Sequence, residues 1–326
     1  MIKTLEIKNF KSIKHLKLDC KRVNLFIGKP NTGKSNILES VGIFSLPYVS
    51  GNLKEIVRFE NMTNLFHDHE VNEKIEITAD ATALAIKFEN GKFKVRGEDK
   101  DKQEEFNLEL DYDGKRETGG FQNSPVKFYR FAVMDRFAGW EADFLMPPRG
   151  ENLLQILLTH KELRKVVAGL FSEYGFKMVL KPQEHKIEIQ KDTPKEIEEN
   201  VVTYYPYALL SDTLQRVIFH LVAMETNKNS TIIFEEPEAH AFPFHAKFLA
   251  ERIALDESNQ YFISTHNPYF LLSVLEKTPK DDMGIFITHF KDYQTKVRPL
   301  TENEMPEVLD LDASVFFNLD QFLGET

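Results

Sequence analysis

The sequence predicts an α/β protein whose core sheet is mostly parallel. The apolar run 23–27 is typical of a strand covered on both faces, and helical periodicity follows it over 37–44. Three further apolar runs, at 231–236, 260–266 and 283–290, alternate with helical segments. Strand and helix alternation of this kind indicates βαβ units, which build a parallel sheet.

The N-terminal segment predicts a pair of antiparallel strands. Leu5 and Ile7, and then Leu16 and Leu18, alternate with polar residues on either side of a break at 9–12. We therefore expect two half-buried strands before the core sheet begins.

Residues 71–132 show strand patterns divided by short turns. ENGK (89–92) and YDGK (112–115) each place an Asn-Gly or Asp-Gly pair between alternating segments, which predicts hairpins. Periodicity then predicts a helix over 151–174 that ends at Gly175. A hairpin through FKMVL and KIEIQ is expected next.

A further amphipathic helix begins at Ser211. We expect three parts within one continuous domain: an N-terminal β region with a loop and first helix at 1–60, a β-rich and helical insertion at 61–205, and a C-terminal lobe at 206–326. The insertion is the part most suited to carry specificity.

Composition and charge exclude several classes. The 326 residues are 42% hydrophobic and 28% charged, an ordinary globular composition. Cys20 is the only cysteine, so an internal disulfide is excluded, and no apolar stretch is long enough for export or membrane crossing. We expect a cytoplasmic protein without membrane contact. Its net charge of -10 means that DNA binding would require a local basic face.

The stretch GKPNTGKS, at 28–35, fits the pattern Gly-x-x-x-x-Gly-Lys-Ser/Thr. Its glycines let backbone N–H groups turn inward as an anion nest, and the helix that follows adds its positive dipole end. Lys34 would reach the β- and γ-phosphates, and the Ser35 hydroxyl would ligate Mg²⁺. An ordinary turn requires neither residue, so the pattern predicts a P-loop.

Two later segments carry the groups that a nucleotide site also needs. TIIFEEPEAH places Glu235 and Glu236 at the carboxyl end of a predicted strand, where ligands bind in open α/β sheets. Adjacent acids at a strand end point in different directions, so one can hold Mg²⁺ while the other orients or deprotonates water. ISTHNP places His266 at the same edge. Without the P-loop, a solvated strand end and a core histidine would be the simpler interpretations.

The P-loop, EEPEAH and STHNP, in this order, resemble the ABC-type ATPase heads of the SMC, RecF and OLD kind. The opening LEIKNFKSIKHLKL is also similar to theirs. The resemblance implies a P-loop NTPase head in which Glu235 holds the metal, Glu236 is the catalytic glutamate, 238–241 form the D-loop and His266 is the switch histidine. It also implies a stand-alone AAA-family ATP-binding protein, since neither a long coiled coil nor a nuclease domain is recognisable.

The family's signature motif has a counterpart at LLSDTLQ. Ser211 and Gln215 match it, whereas Thr213 stands where the family has glycine. In the family this segment of one subunit clamps the γ-phosphate bound by another. Gln122 is the candidate Q-loop residue, and the predicted metal ligands are therefore Ser35, Glu235 and Gln122. The predicted cofactor-binding residues are Gly28, Lys29, Pro30, Asn31, Thr32, Gly33, Lys34, Ser35, Asn36, Ser211 and Gln215.

The resemblance implies a function as well as a fold. We expect slow, Mg²⁺-dependent hydrolysis of ATP in a homodimer that sandwiches two nucleotides and switches the conformation of a partner. That partner would be DNA or an effector protein encoded nearby, in DNA repair or phage defence. Two alternatives are a nucleotide-gated binding module with vestigial hydrolysis and a small-molecule kinase.

Overall fold

The computed structural model describes residues 1–49, 51–101, 104–119, 124–139, 142–191 and 203–324. In chain order the strands are β1 (Thr4–Phe10), β2 (Ile13–Asp19), β3 (Val23–Gly28), β4 (Ile75–Ala79), β5 (Thr82–Glu89), β6 (Lys92–Asp99), β7 (Glu104–Leu110), β8 (Arg116–Gly119), β9 (Val126–Tyr129), β10 (Phe176–Lys181), β11 (Lys186–Lys191), β12 (Tyr204–Pro206), β13 (Thr231–Glu235), β14 (Gln260–Ser264), β15 (Met283–Lys291) and β16 (Gln294–Pro299). The helices are α1 (Lys34–Gly42), α2 (Leu153–Thr159), α3 (Lys161–Ser172), α4 (Asp212–Thr226), α5 (Pro243–Leu255), α6 (Pro268–Lys277) and α7 (Met305–Leu311).

A mostly parallel sheet forms the centre of the fold, which confirms the predicted fold class. Its strand order is β16-β15-β3-β14-β13-β9, and β16 alone among these described strands runs antiparallel to its neighbour. Every residue of β3 is buried, as the apolar run predicts. Helix α1 packs on one face of the sheet, and α4, α5 and α6 pack on the other. Because β3, β14 and β13 are parallel neighbours, their carboxyl ends meet at one edge.

The second sheet is antiparallel and contains the two predicted N-terminal strands. Its order is β2-β1-β4-β5-β6-β7-β8. At the turn between β5 and β6, Asn90 and Gly91 have φ angles of 53° and 78°, the positive values that a tight hairpin turn requires. Strand β2 lies at the edge of this sheet with Lys14 and Lys17 exposed. This position agrees with solvated lysines on an edge strand.

The β-rich part of the insertion is divided between sheets. All residues of β9 are buried, and the strand pairs in parallel with β13 at the edge of the core sheet. Strands β10 and β11 form the predicted hairpin, and β12 adds to it as a third strand.

The helix predicted over 151–174 is two helices, so that prediction is wrong in its continuity. His160 separates α2 from α3 with φ −98° and ψ 85°, outside the helical region. The Thr159 hydroxyl competes for helical carbonyl groups, since its Oγ1 donates to the Gln155 oxygen at 2.9 Å. Both helices bury apolar residues in the same core, and the apolar periodicity therefore continues across the break.

Among the described residues, no helix combines the length and apolar character that membrane crossing demands.

Candidate nucleotide-binding and hydrolysis site

The predicted P-loop joins β3 to α1 and is packed closely against β15 and β16. Gly28 and Gly33 have φ angles of 150° and 95°, in the region that favours glycine. A Cβ on Gly28 would lie 2.3 Å from the Thr288 backbone oxygen, and one on Gly33 would lie 2.0 Å from Thr295 Oγ1. Both glycines are therefore required by close packing as well as by the turn.

Lys34 lies inside the curve of this loop. Its Nζ donates to the carbonyl oxygens of Gly28 at 2.9 Å and Lys29 at 2.8 Å, and only 6% of the residue is exposed. Burial lowers the pKa of Lys34 to about 8, although the charges of Glu236 and Glu235 oppose the shift. The loop thus holds a buried cation at the start of a helix.

Ser35 and Glu235 converge although they are far apart in sequence. The Ser35 hydroxyl, in the first turn of α1, donates to Oε1 of Glu235, the last residue of β13. A hydroxyl and a carboxylate are hard oxygen donors, which suit Mg²⁺. Within the described ranges no cluster of three or more His, Cys, Asp or Glu side chains is arranged to hold a metal. This pair fits Mg²⁺ because the ion commonly takes few protein ligands beside phosphate and water.

Glu236 points away from its neighbour. It has a φ of 47°, and its Oε1 lies 3.3 Å from Nε2 of His266, which is two residues beyond the end of β14. Burial lowers the pKa of His266, the charge of Lys34 lowers it further, and Glu236 opposes both effects. A neutral imidazole therefore faces Glu236 at neutral pH. Glu235 contacts Ser35, whereas Glu236 contacts His266.

The segment predicted as the D-loop begins with a buried carboxyl. Glu238 is 4% exposed, its Oε1 accepts a hydrogen bond from Thr265 Oγ1, and its Oε2 has no hydrogen-bond partner in the described part of the chain. Burial raises the pKa of Glu238 to about 7. Glu238 thus links the loops that carry Glu236 and His266.

The signature-like segment lies at the start of α4. Ser211 is the N-cap, and its Oγ accepts from the Leu214 backbone N–H at 3.3 Å. Gln215 is 1% exposed and its Nε2 donates to the Leu210 oxygen at 2.9 Å, so it supports the turn before the helix. The Thr213 hydroxyl donates to the oxygen of His240 at 2.6 Å. No hydrogen bond or ion pair between described residues connects this segment to the P-loop of the same chain.

The remaining predicted residues differ in their positions. Lys29, Pro30 and Asn31 are exposed, and Lys29 pairs with Asp320 at 2.7 Å. Thr32, Asn36 and Gln122 complete the prediction. Thr32 Oγ1 donates to the Lys29 oxygen at 2.8 Å, and Asn36 Nδ2 donates to Ser12 Oγ at 2.7 Å, whereas Gln122 lies outside the described residues.

Sequence reasoning missed a group of charges behind Ser35. Glu39 is fully buried in α1, and Lys11, Arg58 and Arg130 surround it. Arg58 also reaches Glu235, with Nη2 2.8 Å from Oε1. A carboxylate within the apolar face of α1 is the one sequence signal that could have found the group.

A family model and solved structures are similar to this chain. The family model of the AAA ATPase domain matches residues 1–124. A crystal structure of an SMC head bound to the C-winged helix domain of ScpA is similar, with a TM-score of 0.52, 15% identity, and coverage of 93% of this chain and 99% of that one. The SMC head domain from Thermotoga maritima is similar with a TM-score of 0.43, 14% identity, and coverage of 92% and 99%. None of the curated proteins compared with the chain matches it.

The match to the first of these structures concerns the fold. It confirms the predicted fold, because the chain has the fold of an SMC head domain. The match of the first 124 residues to an ATPase domain supports nucleotide binding at the loop described above.

Proposed function

We propose that this protein is an Mg²⁺-dependent ATPase that holds two ATP molecules between two copies of the chain. The observation that carries the proposal is the hydrogen bond from Ser35 to Glu235, which joins the P-loop to the acidic strand end. Glu236 and His266 lie at the same edge, 3.3 Å apart. Together they supply the groups that hydrolysis of a triphosphate requires.

Each residue has a distinct part in this proposal. Lys34 and the backbone N–H groups of the loop would bind the phosphates, and Ser35 and Glu235 would hold Mg²⁺. The bound ion would offset the negative charge of the phosphates. Glu236 orients the attacking water and accepts its proton, and neutral His266 donates a hydrogen bond to the γ-phosphate.

A second copy of the chain would complete each site. Ser211 lies at the N-terminus of α4, where backbone N–H groups favour an anion, and among the described residues it has no hydrogen bond or ion pair with its own P-loop. Apolar side chains near the starts of α4 and α5 are exposed, with Leu209 at 72%, Phe242 at 71% and Phe244 at 63%. A second copy would cover them and bring Ser211 to the γ-phosphate.

We propose that closing and opening of this dimer switches a partner, either DNA or an effector protein. The SMC head among the similar structures is bound to a winged-helix domain of another protein, which is a precedent for partner binding by this fold. The net charge of -10 favours an effector protein unless a local basic face binds DNA.

Thr213 favours a second candidate function, a binding module that ATP occupancy alone switches. Its hydroxyl donates to His240 at 2.6 Å, so a side chain stands at the point where the family's glycine allows close backbone approach to phosphate. In this alternative ATP closes the dimer and hydrolysis is vestigial.

Two measurements on the same protein separate the candidates. Light scattering with ATP, ADP and no nucleotide reports dimerisation, and phosphate release reports hydrolysis, each with and without Mg²⁺ and DNA. We expect a dimer with ATP and slow, Mg²⁺-dependent phosphate release. A dimer without phosphate release would favour the gated module, and a monomer in ATP would contradict the sandwich.

A further inference from the structure

Glu39 is a buried acid surrounded by cations from separate parts of the chain. It lies on α1 with no exposed surface. Lys11 Nζ donates to its Oε2, Arg58 Nε donates to its Oε1 at 2.8 Å, and Arg130 Nη2 donates to the same oxygen at 3.4 Å. Lys11 precedes β2, and Arg130 follows β9, so Glu39 gathers cations around the P-loop helix.

Arg58 connects this buried acid to the proposed metal-binding acid. Its Nε contacts Glu39, while its Nη2 donates to Glu235 Oε1 at 2.8 Å. Arg130 Nη2 lies 3.8 Å from the other Glu235 oxygen. Ser35 donates to the same Oε1 that Arg58 contacts. The oxygen that suits a metal ion therefore has a guanidinium as its counter-ion.

The two ion pairs of Arg58, with Glu39 and with Glu235, differ in strength. A buried pair is costly to break because a charge is left uncompensated, whereas a solvent-exposed pair contributes little. The Glu39 side chain has 0% exposure, the Arg58 side chain 58% and the Glu235 side chain 19%. The ion pair of Arg58 with Glu39 is therefore the more stable of the two, and the ion pair with Glu235 is the one that a metal ion can replace.

We propose that Glu39 is a positioning residue that holds Arg58 against Glu235 as a built-in counter-ion, which must leave that carboxylate before a metal ion can bind there. This inference rests on the proposed function because it assigns Glu235 to the metal. The charge of Glu235 is compensated by Arg58 without the metal ion and by the metal ion when it is bound. Arg58 stays paired with Glu39 when Glu235 exchanges one partner for the other.

The test is the dependence of ATP affinity on Mg²⁺, measured by calorimetry in Mg²⁺ and in EDTA. The quantity compared is the ratio of the ATP association constant in Mg²⁺ to the association constant in EDTA. Any direct contact of Arg58 with phosphate would change both constants, so this ratio isolates the competition for Glu235. Arg58→Ala should raise this ratio about threefold to fivefold, the value of a partly exposed ion pair. Arg58→Lys should raise it less, because an ammonium remains near the acids.

Arg252→Ala is the matched control. Arg252 is partly exposed, lies on α5 and pairs with Glu225 at 2.9 Å. Its replacement should leave the ratio unchanged. An unchanged or lower ratio in Arg58→Ala would overturn the counter-ion role.

Glu39→Gln tests the positioning role. The variant removes the negative charge that holds Arg58 beside Glu235, so the guanidinium occupies Glu235 less of the time and the ratio should rise toward that of Arg58→Ala. Thermal unfolding first establishes that the variant folds, and if it does not, Arg58→Ala and Arg58→Lys still decide the competition. A folded Glu39→Gln with an unchanged or lower ratio would overturn the role of Glu39. Absence of ATP binding in the unmodified protein would instead contradict the proposed function.

Discussion

His266 Nε2 lies 3.3 Å from Glu236 Oε1, and the two residues follow neighbouring parallel strands. Neither side chain is enclosed, with 38% of His266 and 43% of Glu236 exposed. Such exposure leaves room for a water molecule and for a phosphate beside both groups. The pair is therefore accessible, as the proposed proton transfer requires, at the edge that also carries Lys34 and Ser35.

Replacing Glu236 with Gln should separate binding from hydrolysis. The amide preserves the shape of the side chain but removes the base, so hydrolysis should fall about 100-fold or more while ATP affinity stays nearly constant. Light scattering should then show a dimer that persists in ATP. A variant that binds ATP but remains monomeric would contradict the proposed sandwich.

The buried position of Lys34 predicts that ATP affinity depends on pH. Since burial lowers its pKa to about 8, the free protein loses this positive charge as the pH rises through that value. ATP remains fully ionised in the same range, because the last phosphate pKa is about 6. Affinity measured by calorimetry should therefore be highest below pH 8 and decrease above it.

Two replacements at Lys34 provide the controls. Lys34→Ala should weaken ATP binding about 100-fold and remove the pH dependence. Lys34→Arg keeps a charge at all these pH values, so its affinity should not vary between pH 7 and pH 9 even if it is lower. A pH profile in Lys34→Arg that equals that of the unmodified protein would assign the titration to another group.

The parts of the fold with local sequence signals were predictable from the sequence. The apolar run of β3, the helical period of α1 and the paired turn residues at Asn90 and Gly91 each have a local cause, and the structure contains all three. The break at His160 was not predictable, because apolar periodicity records which residues face the core and continues through a change of backbone direction.

Some residues of the candidate site were likewise predictable from the sequence, and others were not. The loop from Gly28 to Ser35 is a continuous motif, and strand-end acids are predictable from topology. By contrast, Arg58 and Arg130 reach Glu39 from distant segments, and nothing in their spacing marks that contact. Burial of Gln215 behind the start of α4 likewise depends on how the preceding turn folds back, which only the tertiary structure shows.

Mixing two inactive variants tests whether Ser211 acts on the partner's nucleotide. Lys34→Ala inactivates the P-loop of the chain that carries it, and Ser211→Ala removes the signature serine of that chain. Loss of the Ser211 helix cap should lower the free energy of unfolding by about 1 kcal/mol. In a mixed dimer both defects fall on one site and the other site is intact. Equal mixing should restore roughly a quarter of the unmodified phosphate release, since half of the dimers are mixed and each has one working site.

The control for this experiment combines Lys34→Ala with Glu236→Gln. Both residues serve the nucleotide bound by their own chain, so each site of the mixed dimer carries one defect and no activity should return. Equal recovery in the two mixtures, or recovery in neither, would contradict the assignment of Ser211 to the opposite site.

Glu238 predicts a pH dependence of stability that is independent of nucleotide. Its pKa is raised from 4.5 to about 7 by burial, so between these values the folded protein binds more protons than the unfolded chain. Stability contributed by this group is therefore lost as the pH rises, reaching about 3 kcal/mol above pH 7. Glu238→Gln can still accept from Thr265 but does not ionise. Chemical unfolding at pH 5 and pH 8 should show the variant gaining stability over the unmodified protein at the higher pH, whereas a difference that is the same at both values would mean that Glu238 stays charged in the fold.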